Sequence, residues 1–231
     1  MGPGVLRAVT GVLVVAGVVA AVRGVALDVN AATRAPSWVS VPVNVRLHQL
    51  DQLQILRATG PGTRTVVPFR LQSGMFQPGL ELYVPGIGQD TSIDVETGRS
   101  FTLNSWGSTI TEQLLSRGAG LITGLCLLWG ALVVRRLVLS ISRGHPFERG
   151  NPARVTQLAG LIVAATLAAG VLPYLAAHLV LGRLGLTGSA SPLYAHLAIA
   201  GAPLLAALFL LVLAQAFRRG AELAQDTEGL I

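Results

Sequence analysis

The sequence predicts a membrane α-helical protein, a four-transmembrane-helix bundle with a small β-rich extracytoplasmic domain inserted between helices 1 and 2. Three observations lead there. Apolar residues fill 52% of the 231 positions and charged ones only 12%, where a soluble domain carries about a quarter, and mean hydropathy is +0.61. Four apolar stretches approach the roughly 20 residues that cross a bilayer core of about 30 Å at 1.5 Å per residue. Between the first two, the apolar period shortens to that of a half-buried strand.

The first span is read over 5–27. Its uncharged part, Ala8 to Val22, covers only about 22 Å unless Arg23 snorkels to the outer surface. A cleavable signal peptide is the rival reading, with Gly24 and Ala26 as the small residues of a processing site. The second span, within 113–141, centres on Gly118 to Val134 between Arg117 and the pair Arg135, Arg136. Its helix should run on through Leu139 until Gly144-His145-Pro146 stops it. A basic hairpin follows over 142–154. There Asn151 is expected to cap a new helix and Pro152 to occupy its first position, where the missing N–H is not needed.

The third span, 155–181, and the fourth, 192–217, carry no formal charge. From Leu197 to Phe217 eleven Leu, Ile, Val or Phe contribute on the order of −5 kcal/mol to insertion. A short loop, 182–191, joins them and a tail, 218–231, follows. Pro173 and Pro203 are expected to kink these spans.

In the inserted segment, 28–112, Val39, Val41, Val43, Val45 and Leu47 alternate with Ser40, Asn44, Arg46 and His48. Pro42 argues for an edge strand. Alternation recurs at Val67, Phe69 and Leu71, at Leu80, Leu82 and Val84, at Ile93 and Val95, and at Phe101 and Leu103. The last two runs flank Glu96-Thr97-Gly98-Arg99, a hairpin turn in which Gly98 supplies a positive φ. Gly- and Pro-rich turns at 60–62, 77–79 and 85–88 separate the others. A module this small has a marginal core of its own and is expected to lean on the membrane surface or on a second copy.

Charge sets the orientation. The net charge of +6 comes from 17 arginines, with no lysine, against 11 acids. Arg135, Arg136, Arg143, Arg149 and Arg154 crowd the link between spans two and three, whereas the link between spans three and four holds only Arg183. The positive-inside rule therefore places the basic link, both termini, Arg7, Arg218 and Arg219 on the cytoplasmic side of a bacterial inner membrane. The only cysteine, Cys126, lies in the second span, so no disulfide staples the outer module.

Catalytic chemistry has little to stand on. No nucleophile elbow, zinc helix, phosphate loop or paired-cysteine motif is present, which points to a non-enzymatic protein with no cofactor and no metal. The absence of Asp, Glu and Arg inside the spans argues against a pump. His178 and His196, near the outer ends of spans three and four, form a candidate pH- or ligand-sensitive pair, and a membrane enzyme using them is one alternative. Gly120 and Gly124 form a G-x-x-x-G, with similar small-residue spacings at Ala16 and Ala20 and at Ala198 and Ala202, suited to packing within one bundle or in a homo-oligomer. Trp38, Trp106, Tyr174 and Tyr194 fall near outer span ends, where amphipathic rings prefer to sit.

Gly144-His145-Pro146-Phe147 with Asn151, and the end running from Phe217-Arg218-Arg219-Gly220-Ala221-Glu222-Leu223 into Asp226-Thr227-Glu228-Gly229-Leu230-Ile231, resemble two hallmarks of the bacterial membrane-protein family catalogued as domain of unknown function 2975. The layout is similar too: a first span, an extracytoplasmic segment, then three more spans. The resemblance implies a membrane partner for a small helix-turn-helix regulator of the Xre type, with no direct contact to nucleic acid. Candidate docking residues are then Arg143, Phe147, Arg149, Asn151 and Arg154 in the link, and Arg218, Arg219, Glu222, Asp226 and Glu228 in the tail. Anionic membrane lipid is a second partner for the basic link. The main alternative is an accessory subunit of a transporter or envelope-assembly complex.

Overall fold

A computed structural model describes residues 3–33, 36–46, 54–60, 63–68, 81–83, 91–95, 101–142, 150–188 and 191–228. Among them the chain runs α1 (Pro3–Thr33), β1 (Val39–Val45), β2 (Gln54–Gly60), β3 (Thr63–Pro68), β4 (Glu81–Tyr83), β5 (Thr91–Val95), β6 (Phe101–Ser105), α2 (Ile110–Ser142), α3 (Asn151–Arg183), β7 (Leu193–Tyr194) and α4 (Gly201–Glu228). Two compact units share it. A helical unit takes Met1–Leu27, Ala119–Gly170 and Ile199–Ile231, and a second unit takes Asp28–Gly118 and Val171–Ala198.

The segments Ile110–Ser142, Asn151–Arg183 and Gly201–Gly220 are long and apolar enough to cross a membrane, while the apolar part of α1, Val14–Ala26, is shorter. Val12, Val15, Val19 and Val22 of α1 and Leu205, Leu208, Phe209 and Val212 of α4 are exposed. Continuous apolar faces of this kind suit lipid and are rarely left to water.

The contact between α1 and α2 is made backbone to backbone. A Cβ added at Gly17 would lie 2.8 Å from the Leu128 Cα, one at Gly24 2.8 Å from the Leu121 Cα, and one at Gly124 2.7 Å from the Ala20 carbonyl oxygen. Gly17 and Gly24 are seven residues apart, two helical turns, and so share one face. The G-x-x-x-G reading is corrected accordingly. Only Gly124 serves the contact, since a Cβ at Gly120 would meet nothing within 4 Å. Ala16 and Ala202 are exposed, and Ala198 lies outside any helix.

Several boundaries move. α1 continues through Gly24 and Ala26 to Thr33, into the segment read as the inserted domain. α4 begins at Gly201 rather than at 192, because Leu193 and Tyr194 form β7 against β1. Pro203 is therefore the third residue of α4 and sits in a first turn, where no intrahelical N–H is lost and no kink is required. Among the described residues Pro173 alone lies in a helix interior beyond the first turn. The tail is not a separate element, for α4 runs through Arg218 to Glu228.

At the start of α3 the Arg154 N–H donates to the Gly150 carbonyl at 3.1 Å. That bond makes Gly150 the capping position and Asn151 the first helical residue, one step earlier than read from the sequence. The Asn151 side chain, fully buried, turns elsewhere: its Nδ2 donates to Ser140 Oγ of α2 at 3.1 Å and its Oδ1 accepts from Arg154 Nη1 at 2.7 Å. Asn151→Ala should remove both of these bonds and lower stability by about 1–3 kcal/mol. Thermal unfolding of the detergent-solubilised protein reads this, and an unchanged midpoint would count against it.

In the second unit the strands form one antiparallel sheet in the order β3-β2-β4-β5-β6-β1-β7. The alternation seen in the sequence is realised: Val39, Val41, Val43 and Val45 are buried, and the residues between them are not. Leu103 pairs with Val41 on one side and Ile93 on the other, a fully buried row across three strands. Ala176, Ala177, Val180 and Leu181 of α3 and Leu193 of β7 complete this core. The module thus leans on its own chain, through α3 residues that lie far along the sequence. The small Ala176 and Ala177 let the helix approach the sheet closely.

β1 is not an edge strand, since β6 and β7 flank it. β7 covers only Asn44 and Val45, however, so among the described residues the position of Pro42 stays open on that side. β2 was not foreseen, because Ile55 and Leu56 break the alternation. Phe69, Leu71, Leu80 and Val84, the 96–99 hairpin and the 77–79 and 85–88 turns lie outside the described residues.

Candidate functional site

Two concavities gather the candidate residues, one in each unit. In the helical unit a groove of about 890 Å³ runs between the first turns of α3, with Pro152, Ala153, Thr156 and Gln157, and the last turns of α4, with Leu211, Val212, Gln215, Arg218 and Glu222. Leu211, Gln215, Arg218 and Glu222 follow one another at helical spacing, so they share a face only because α4 continues past Phe217. The groove is apolar at Leu211 and Val212 and charged at Arg218 and Glu222. Arg218 Nε lies 3.5 Å from Glu222 Oε1, with both side chains exposed. Such a pair contributes a few tenths of a kcal/mol and is readily exchanged for a partner's charge.

The structure brings together part of the predicted docking set. Arg218 and Glu222 line the groove, whereas Asn151 and Arg154, bonded to each other in the first turn of α3, are not in its lining. Arg219 is exposed on α4 outside the groove lining. Asp226 and Glu228 lie on the final turns of α4. Arg143, Phe147 and Arg149 fall outside the described residues. Sequence reasoning missed Gln157 and Gln215, each of which falls within a stretch read as an apolar span.

In the second unit a cleft of about 190 Å³ is lined by Arg46, Tyr174, His178, Leu181, Leu186, Thr187, Gly188, Leu193, Tyr194 and Ala195. Of the candidate pair only His178 is in this lining, and among the described residues no hydrogen bond or ring contact joins it to His196. β7 and the non-helical run after it place His196 outside any helix. His178 instead neighbours Tyr174, with ring centroids 6.3 Å apart. No group of three or more His, Cys, Asp or Glu able to hold a metal occurs among the described residues.

A third cluster, also in the second unit, was missed although its signature is in the sequence. Thr109-Ile110-Thr111-Glu112 is a capping box: the Glu112 N–H donates to Thr109 Oγ1 at 3.2 Å and the Thr109 N–H to Glu112 Oε2 at 3.0 Å. Arg183, the lone basic residue of the link after α3, donates from Nε to Glu112 Oε1 at 3.1 Å, from Nη1 to the Trp106 carbonyl and from Nη2 to Ser105 Oγ. Beside it the buried Gln113 amide donates to Ser108 Oγ at 2.7 Å and to Ser37 Oγ. Trp38 and Trp106 meet edge to face at 5.6 Å, both half exposed.

Long apolar helices with lipid-compatible faces, joined to a small antiparallel sheet, define a membrane-embedded helical protein. Beyond that class, comparison with protein-family models, curated proteins and solved structures finds no match.

Proposed function

We propose that the chain is a four-pass protein of the bacterial inner membrane, with cytoplasmic termini, that couples an envelope signal to a small cytoplasmic helix-turn-helix regulator without catalysing a reaction. The observation that carries this reading is the double duty of α3. Its first turns wall the groove, and its last turns complete the core of the sheet. A change in packing at Ala176, Ala177 and Val180 therefore has a continuous helix through which to bias the groove. Any such bias requires the ligand to bind two arrangements of α3 with different affinity. The arginine distribution, the close packing of α1 on α2 at Gly17 and Gly24, and the resemblance of the link and tail support the topology. Amphipathic helices commonly dock in grooves that are apolar at the base and charged at the rim.

The test is purification of the full chain in mild detergent from its own host. Co-isolation of a small helix-turn-helix protein is expected, and filling the groove with Ala153→Trp and Gln215→Trp should reduce its yield at least about tenfold, a loss of about 1.4 kcal/mol. Gly160→Ala, at an exposed α3 position outside the groove lining where a Cβ would meet nothing within 4 Å, should leave it unchanged. Absence of any such protein, or its retention by the filled groove, would remove the reading. The exposed Leu205, Leu208, Phe209 and Val212 face favours one second reading, lateral packing on a larger membrane complex. Isolation of a stable heteromeric membrane assembly would support it.

A further inference from the structure

We infer that Trp38 and Trp106 form a membrane anchor of the second unit, a preformed platform whose partner is the interfacial layer of a phospholipid bilayer, engaged without regard to headgroup charge. The two rings meet edge to face at 5.6 Å, yet Trp38 stays 47% and Trp106 45% exposed. A pair that serves only a core is buried, with each ring N–H hydrogen-bonded. Among the described residues neither ring N–H has such a partner. The backbone beneath the rings, by contrast, is fixed. The Trp38 carbonyl accepts from Nε2 of the fully buried Gln113 at 3.3 Å, and the Trp106 carbonyl accepts from Arg183 Nη1 at 3.0 Å. Ser108 ties the two segments together, since its N–H and its Oγ both donate to the Ser37 carbonyl, at 3.3 and 2.7 Å. Gly107 turns the chain after Trp106 with a φ of +77°, a left-handed conformation that favours glycine. The exposed rings are therefore held out by a bonded turn, and ordering them for a partner costs little.

Position along α2 selects lipid as the occupant. From Glu112 to Arg135 the helix rises about 35 Å at 1.5 Å per residue, close to a hydrocarbon core of about 30 Å. Arg117, about 8 Å along from Glu112, is within snorkelling reach of the same layer. With Arg135 and Arg136 at one headgroup layer, the ion pair of Glu112 and Arg183 falls at the other, and the tryptophan-bearing segments bonded to Gln113 and Arg183 fall with it. Ile110 and Leu114, which share a face of α2 at this level, are also exposed, an arrangement that suits lipid better than water. An indole joins a large apolar ring to one N–H donor, which matches a layer that is apolar on one side and wet on the other. Glu112 Oε1 lies 3.1 Å from Arg183 Nε, so the cation beside the rings is already neutralised and does not select an anionic headgroup. Read one at a time, the two tryptophans mark span ends; joined on one bonded turn, they make a surface that fixes the sheet to the bilayer. The inference requires α2 to cross the membrane, and it stands whichever side the sheet faces and whether or not a regulator docks at the groove.

The test places the full chain in phosphatidylcholine nanodiscs made with lipid brominated near the glycerol or near the chain end, and reads tryptophan fluorescence. Trp129, exposed midway along α2, is the only other tryptophan, so Trp129→Phe leaves the pair as the sole emitters. Shallow bromines should lower their emission at least about twofold relative to unbrominated discs, as the interfacial preference of indole requires. Deep bromines should have a clearly smaller effect, and neither added phosphatidylglycerol nor high salt should change the pattern. Where Trp129→Phe folds poorly, the unsubstituted protein still reads both depths, with shallow quenching from the pair and deep quenching from Trp129. Emission quenched by aqueous acrylamide and by neither bromine would put the pair in water and overturn the anchor. Rings shielded from acrylamide and from both bromines would be covered by protein, a second copy included, and stronger deep than shallow quenching would bury them in the hydrocarbon core; either result overturns it too. Shallow quenching confined to discs with phosphatidylglycerol would overturn the indifference to headgroup charge.

Discussion

Gly124→Leu is expected to separate α1 from α2 and to lower stability by about 3 kcal/mol, the upper part of the usual overpacking range. The position leaves no alternative. Its hypothetical Cβ falls 2.7 Å from the Ala20 carbonyl oxygen and 3.0 Å from the Ala21 Cα, so the obstruction is backbone, which no rotamer change can clear. A leucine there must push the two helices apart, and this also opens the contacts of Gly17 with Leu128 and of Gly24 with Leu121. In lipid those contacts have no hydrophobic substitute, because acyl chains solvate apolar surface as well as leucine does and close packing is what is lost. Gly120→Leu, one turn earlier on α2 with nothing within 4 Å, is the matched control and should be nearly neutral. Thermal unfolding and limited proteolysis of the two proteins in the same detergent decide the matter. Equal midpoints would mean that the helix crossing is not where the structure places it.

The membrane class was legible because it rests on bulk properties. Long runs without charge mark α2 and α3 whatever their packing, and strict alternation marks β1 because its buried face is continuous with a core. Three features were not legible, each for a physical reason. Leu193 and Tyr194 read as the start of a span because two apolar residues beside an apolar run carry no period, and only pairing with Asn44 and Val45 makes them a strand. The groove was hidden by ending the last helix at Phe217. Charge appears there, but Arg218, Glu222 and their neighbours are as compatible with helix as the apolar residues before them. His178 was found, whereas its companion Arg46 was not, because the cleft joins residues separated by well over a hundred positions along the chain. The capping box at Thr109 is the opposite case, a local signal present in the sequence and overlooked.

The same long-range logic makes Arg183→Gln the other large expected effect, a loss of about 3 kcal/mol. Glu112 retains 4% side-chain exposure, so removing its cation leaves a carboxylate shielded from water with only the Thr109 N–H among its described donors. Breaking a buried pair in this way costs about 3–5 kcal/mol, and the lower end applies because Arg183 itself keeps 28% exposure and is partly screened. Arg183 also donates to the Trp106 carbonyl and to Ser105 Oγ, so its loss loosens the end of β6 against the start of α2. Glu112→Gln should be milder, at about 1–2 kcal/mol, since a glutamine can still accept from the Thr109 N–H in a capping box. The double variant separates charge pairing from the other bonds. If the ion pair dominates, Glu112→Gln with Arg183→Gln should be less destabilised than the sum of the single changes, with a coupling of about 1–3 kcal/mol. Additive losses, or an Arg183→Gln midpoint equal to wild type, would show that the pair does not hold β6 to α2.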